Sequence, residues 1–274
     1  MIFKKIRDLK KKNFETIIIG SGPAGISVAL TLEKFGFESL IIEAGNLEPY
    51  DGKDELLHGK VINQNYTGLE YIRARQFGGS SSLWGGNCSI YSNHQIEKWG
   101  LDPDELKKYN NDAKKILNIS NNFYINPITE NLNHYNVNWS NVKFGDKYYS
   151  HIKKSKKINL LLNTTFKYFK GESGKIDKIV CQNKIEHEFS SRNYILACGG
   201  IENSRLMLHA RNMNLKLFKN DLPIGYYYCD HPKKDIGKGI INKKKLLEFL
   251  KINNSNIFPR IECENLNFSF NSNF

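Results

Sequence analysis

Apolar residues first gather in two short continuous runs, Phe14 to Gly20 (FETIIIG) and Leu40 to Glu43 (LIIE). Between them Pro23 to Phe35 changes period, with Ile26, Leu30 and Leu32 at helical spacing until Gly36 stops the pattern. The order is strand, tight turn, helix, strand. Continuous apolar strands, rather than alternating ones, suit a parallel sheet covered on both faces.

Further along the signal weakens. Residues 46 to 75 lack strong periodicity and read as an extended excursion into a loop rich in glycine and serine, Phe77 to Gly86 (FGGSSSLWGG). Asp102 and Pro103 supply an N-cap and a first helical position for a helix continuing through Leu106, Tyr109, Ala113 and Leu117. From Phe123 to Ser155 the text is irregular and aromatic, and the pattern assigns no element. Ile158 to Phe169, Lys175 to Cys181 and His187 to Phe189 read as strands, with a hairpin turn at Gly171 to Gly174. Tyr194 to Cys198 is a further buried strand, broken by Gly199 and Gly200 before a helix from Glu202 to Ala210.

The turn after the first strand carries the clearest chemistry. Its sequence, Gly20-Ser21-Gly22-Pro23-Ala24-Gly25, follows a strand and opens a helix. Gly20 permits the tight turn, Gly22 lets the backbone approach a pyrophosphate, and Gly25 lets helix and strand pack closely. Amides at the helix start, with the dipole behind them, face phosphate charge. Glu43 ends the second strand, where a carboxylate accepts hydrogen bonds from adenosine ribose hydroxyls and repels a 2′-phosphate. With Ala29 toward the sheet and Gly36 as the stop, this is a Rossmann-type βαβ unit. FAD and NAD share such a cradle, so the unit alone leaves both open.

Charge and cysteine content narrow the partners. Among the 274 residues the formal net charge is +12, but the lysines are scattered and no stretch interleaves them with aromatics. That predicts a solvated basic surface and no nucleic-acid partner. The five cysteines are widely spaced without CxxC or metal-ligand spacing, so no metal site is expected and a reduced, cytoplasmic setting is. No apolar run is long enough for a transmembrane segment or a signal peptide.

Two levels of resemblance sharpen the reading. Ile17 to Gly45 (IIIGSGPAGISVALTLEKFGFESLIIEAG) resembles the FAD-binding signature of large flavoproteins, in which glutamate is followed by a small residue, here Ala44, and glycine. Arg73 to Gly86 (RARQFGGSSSLWGG) resembles the second signature of the glucose-methanol-choline (GMC) oxidoreductase family. The resemblance implies that this loop runs along the FAD pyrophosphate toward the flavin. On that reading Gly78, Gly79, Ser80 and Ser81 offer amides and hydroxyls, Arg75 adds charge, and Trp84 lies near the cofactor. Leu83 stands where some relatives carry a histidine bonded to FAD, which implies non-covalent FAD. Tyr194 to Leu208 (YILACGGIENSRLML) is similar to the family's returning strand and helix, placing Ala197 and Gly199 beside the cofactor. Gly225 to Pro232 (GYYYCDHP) is similar to its Asp-His-Pro segment.

The resemblance implies a Rossmann-like FAD-binding domain from residues 1–90 and 156–232, a helical and irregular insertion at 91–155, and at 233–274 the incomplete start of an antiparallel-sheet substrate domain. It also implies oxidation of an alcohol, sugar or polyol by hydride transfer to FAD. Family members run to roughly twice this length and take their histidine base from the second half. His231 reads as a structural turn residue before proline, and no histidine follows it, so no catalytic residue is assigned. The expectation is a truncated or split form whose C-terminal half is a second chain. The alternatives are a non-catalytic FAD-binding subunit needing a partner, an inactive remnant, or an NAD-dependent dehydrogenase.

Overall fold

The computed structural model describes residues 1–48, 54–62, 68–123, 125–129, 132–135, 137–172, 174–213, 217–218, 221–228, 260–263 and 266–269. The chain divides into two compact units, Met1–Trp84 with Lys143–Asp230, and Gly85–Val142 with His231–Phe274.

In the first unit β1 (Ile2–Phe3) precedes β2 (Asn13–Ile19), α1 (Pro23–Lys34) and β3 (Ser39–Ile42). The short helix α2 (Leu69–Ile72) and a 3₁₀ turn at Gly79–Ser82 punctuate the excursion that follows. In the second unit come β4 (Asn87–Cys88), α3 (Asn93–Lys98), α4 (Pro103–Lys107), α5 (Asn110–Leu117), β5 (Ile125–Thr129), β6 (Leu132–Tyr135) and β7 (Asn138–Trp139). The first unit resumes with α6 (Phe144–Lys154), β8 (Ile158–Leu161), β9 (Thr165–Glu172), β10 (Lys175–Asn183), β11 (Ile185–Leu196) and α7 (Gly200–Asn212). Finally β12 (Arg260–Cys263) and β13 (Leu266–Ser269) belong to the second unit.

Among the described residues the first unit forms a seven-stranded sheet in the order β1-β8-β3-β2-β11-β10-β9. It is parallel from β1 through β11, and β11, β10 and β9 are antiparallel. This is the α/β, mainly parallel, Rossmann-like architecture the apolar runs predict. Alternate residues separate the two faces. Ile17, Ile19, Leu40, Ile42 and Leu161 join Phe169, Ile179, Phe189, Leu206 and Ala210 in one buried cluster, with α7 as its cover. The intervening Ile18, Ile41 and Leu160 are equally buried, and α1 lies against β2, β3 and β8. Gly25, Ile26 and Ala29 are the buried positions of α1.

The second unit carries a separate antiparallel sheet, β13-β12-β6-β5, and a small pairing of β4 with β7. Residues of two segments that the resemblance separates, 91–155 and 233–274, pair directly here, with Arg260 to Cys263 against Leu132 to Tyr135.

Several element boundaries differ from expectation. The helix expected from Asp102 onward is two, α4 and α5, joined through Lys108 and Tyr109. The strand expected over 158–169 is β8 and β9, separated at Leu162–Thr164, where Asn163 takes a left-handed φ of 53°. Conversely, His187–Phe189 and Tyr194–Leu196 belong to one twelve-residue strand, β11, which pairs first with β10 and then with β2, while Ala197 and Cys198 lie just past its end. Helix α6 was not anticipated. Its Phe144, Tyr148 and Ile152 recur every four residues and are buried.

Candidate nucleotide-binding site

The parallel strands β3, β2 and β11 lie side by side, and the segments leaving their carboxyl ends meet. In open α/β sheets such a crevice is where ligands bind. Three of the predicted groups stand there: the turn Gly20–Gly25 after β2, Glu43 and Ala44 after β3, and Ala197–Gly199 after β11.

Backbone contacts hold this junction together. The Gly20 N–H donates to Ile42 O at 2.9 Å and the Ala197 N–H to Ile19 O at 2.8 Å. Gly20 has a φ of 102°, and a Cβ there would stand 2.5 Å from the Ala197 carbonyl oxygen, so glycine is required on both counts. A Cβ on Gly25 would press into the Gly20 carbonyl oxygen, which brings α1 close to its own strand.

The start of α1 is partly open, with Gly22 and Pro23 half-buried and Ala24 exposed. Gly22 is its N-cap without a side-chain cap, Pro23 occupies the first turn, and no acidic residue stands in that turn. Among the described residues a Cβ on Gly22 would meet only the Ala197 carbonyl oxygen, at 4.0 Å. First-turn amides without helical acceptors, a positive dipole end and an open approach suit a phosphate group.

Glu43 is 5% exposed. Its Oε2 accepts from the Ser21 N–H at 2.9 Å and the Ser21 hydroxyl at 2.6 Å, and its Oε1 from the Gly45 N–H at 2.8 Å. Burial pushes its pKa up, opposed by these donors and by the Arg75 guanidinium.

The glycine and serine loop packs directly over the first turn. The Gly78 N–H donates to Ser21 O at 3.0 Å, and a Cβ on Gly79 would approach Gly22 Cα to 2.8 Å. Its side chains, however, are largely occupied within the fold. The Ser81 hydroxyl, buried, donates to Gly78 O at 2.7 Å and accepts from the Phe144 N–H at 3.0 Å, so it caps the first turn of α6. Ser80 accepts from the Ala74 N–H at 3.1 Å. Trp84 stacks edge-on against Phe144, and its carbonyl accepts from Lys143 Nζ at 2.8 Å. Arg75 pairs through Nε with Asp54 and reaches Ala44 O at 3.3 Å.

Sequence reasoning missed two groups here. Asp54 gave no signal, because it lies in an aperiodic excursion. Cys198 lies between two residues that were singled out. Its thiol donates to Ile19 O at 3.1 Å, and burial first, then Glu43 and Glu202, push its pKa up to about 12. It stays a neutral thiol. The Asp230-His231-Pro232 turn lies outside the described residues. Among those residues no helix is long and apolar enough to cross a membrane.

The first unit is thus an α/β fold with a mainly parallel sheet of the Rossmann-like kind. A particular solved structure shares the fold: pyridoxine 4-oxidase from Mesorbium loti, at a TM-score of 0.52 and 16% identity, over 72% of this chain and 52% of that one. The chain thus spans about half the length of that oxidase. No family model matches the sequence, and no curated protein matches it.

Proposed function

We propose that the first unit binds FAD without a covalent bond and forms part of an oxidoreductase of the GMC type acting on an alcohol, sugar or polyol. The observation that carries the reading is the junction itself: the open start of α1, the buried Glu43 and the glycine loop over both. Gly22, Ala24 and Gly25 would hold the pyrophosphate through backbone amides, with Ser21 engaged by Glu43 and Gly78 and Gly79 closing the opposite side. Glu43 would receive a ribose hydroxyl. FAD, when bound, supplies the hydride acceptor. The oxidase of similar fold is in keeping with this class of chemistry.

The cradle's own part is binding and orientation. Cys198 remains protonated, and Glu43 is turned toward Ser21 and Gly45, so neither is a base for an alcohol proton. We infer that the proton acceptor lies outside the cradle, on another part of the whole protein or on a second chain.

The test is the visible absorption of the purified chain before and after FAD is added. A retained stoichiometric flavin spectrum, bleached by dithionite, is the expected result. A folded preparation that retains no flavin overturns the reading.

A further inference from the structure

Ser21 does more than occupy the turn. A carboxylate offers about four acceptor positions. Among the described residues three are filled at Glu43, two on Oε2 from Ser21 and one on Oε1 from Gly45. Oε1 keeps one position for an outside donor. Resting on the nucleotide reading above, we propose that Ser21 is a positioning residue whose hydroxyl holds Glu43 ionised and leaves Oε1 as the acceptor for a single ribose hydroxyl of the ligand.

The geometry favours this over a packing role. At 2.6 Å the hydroxyl contact has the length of a charge-assisted bond, and Ser21 is fully buried, so water does not compete for it. Alanine would preserve volume and turn but remove the donor. The charged or titratable groups facing Glu43 are Arg75, itself held by Asp54, and Cys198, which stays neutral. With Arg75 engaged elsewhere, the Ser21 hydroxyl is the strongest support for a charge that burial opposes. Protonation of Glu43 would discharge the acceptor and turn one of its oxygens into a donor, so ligand binding weakens with this one ionisation.

The test is calorimetric titration of the purified chain with ADP, from about pH 5 to about pH 9. Association should weaken toward acid as Glu43 takes up its proton. In Ser21→Ala the midpoint of that weakening should move up by about one pH unit, and affinity on its acid side should fall about tenfold. Ser21→Thr should restore the wild-type midpoint, and Glu43→Gln should bind weakly with no such midpoint. ADP's own titration is common to all forms and cancels in their ratios.

Coincident midpoints for wild type and Ser21→Ala, with affinity lowered equally at every pH, overturn the inference while leaving the nucleotide reading intact. So does a Glu43→Gln profile that follows the wild type, which serves if Ser21→Ala does not fold. Folded wild type that binds no ADP at any pH overturns the nucleotide reading and this inference with it.

Discussion

Helices α1 and α7 begin in equivalent places. Each follows one of two adjacent parallel strands, β2 and β11, and each has glycine as its N-cap, Gly22 and Gly199, without a side-chain cap. Their first turns differ. In α1 there is no acidic residue, whereas α7 carries Glu202. Arg205 Nε contacts both Glu202 carboxylate oxygens at 3.0 Å, and Arg73 stands 3.7 Å away. Asn203 folds back, accepting from the Cys198 N–H at 2.9 Å and donating to Leu196 O at 3.4 Å. Both helix dipoles favour negative charge at this end. The α7 end supplies its own in Glu202, and the α1 end has none in its first turn. Topology therefore creates two similar helix starts, and Glu202 is what makes their first-turn charge differ.

The comparison breaks most severely at the close contact beneath α1. In Gly25→Ala the new Cβ would press into the Gly20 carbonyl oxygen, with backbone on both sides. The expected cost is about 3 kcal/mol, the upper end for overpacking, read as a lowered urea midpoint. A gentler change makes α1 resemble α7. Ala24 is exposed in the first turn of α1, so Ala24→Glu places a carboxylate beside the open amides. It should raise the stability of the ligand-free protein by about 0.5 kcal/mol through the dipole. At the same time ADP affinity should fall about tenfold, equivalent to about 1.4 kcal/mol. Thermal unfolding and calorimetry on the same preparation would read the two opposed effects.

What the sequence made legible follows from the range of the interactions involved. The β2–α1–β3 unit rests on local pattern, since Ile17 to Ile19 and Leu40 to Ile42 are buried on both faces and Gly36 sits just past the helix end. Helix α6 was hidden because its first amide is capped by Ser81, from a loop far back in the chain, and not by a neighbouring residue. Its spacing of Phe144, Tyr148 and Ile152 was the available signal. The continuity of β11 was obscured by polar residues such as Glu186, Glu188 and Arg192. Its first half has antiparallel β10 beside it and an exposed alternate register, and only its second half enters the parallel core. At the site, backbone roles were readable from glycine positions. The partners of Arg75 and Ser81, Asp54 and Phe144, were not, because only the tertiary fold brings them near.

The remaining predictions sharpen the contrast from the α7 side. Asn203→Ala removes both bonds that tie the first turn of α7 to the end of β11. Because Asn203 is half-buried, the expected loss is about 1 kcal/mol of unfolding free energy. ADP affinity should change less than in Ala24→Glu, since no α1 amide is touched. If it falls as far, the two helix ends act as one seat and the distinction fails.

Glu202→Gln is the mildest change and isolates charge from shape. The glutamine keeps an acceptor for Arg205 and Arg73 but removes the negative charge from the first turn of α7. Loss of the dipole interaction and of a partly exposed ion pair should together cost about 0.5 kcal/mol of stability. Two guanidinium groups are then left without their anion beside the crevice. A phosphate ligand at the neighbouring α1 end should feel that added positive field, so ADP affinity should rise slightly, and the rise should disappear at high salt. A fall in affinity at low salt would mean that Glu202 itself contributes to the ligand seat, and that α7 and α1 divide the cradle between them.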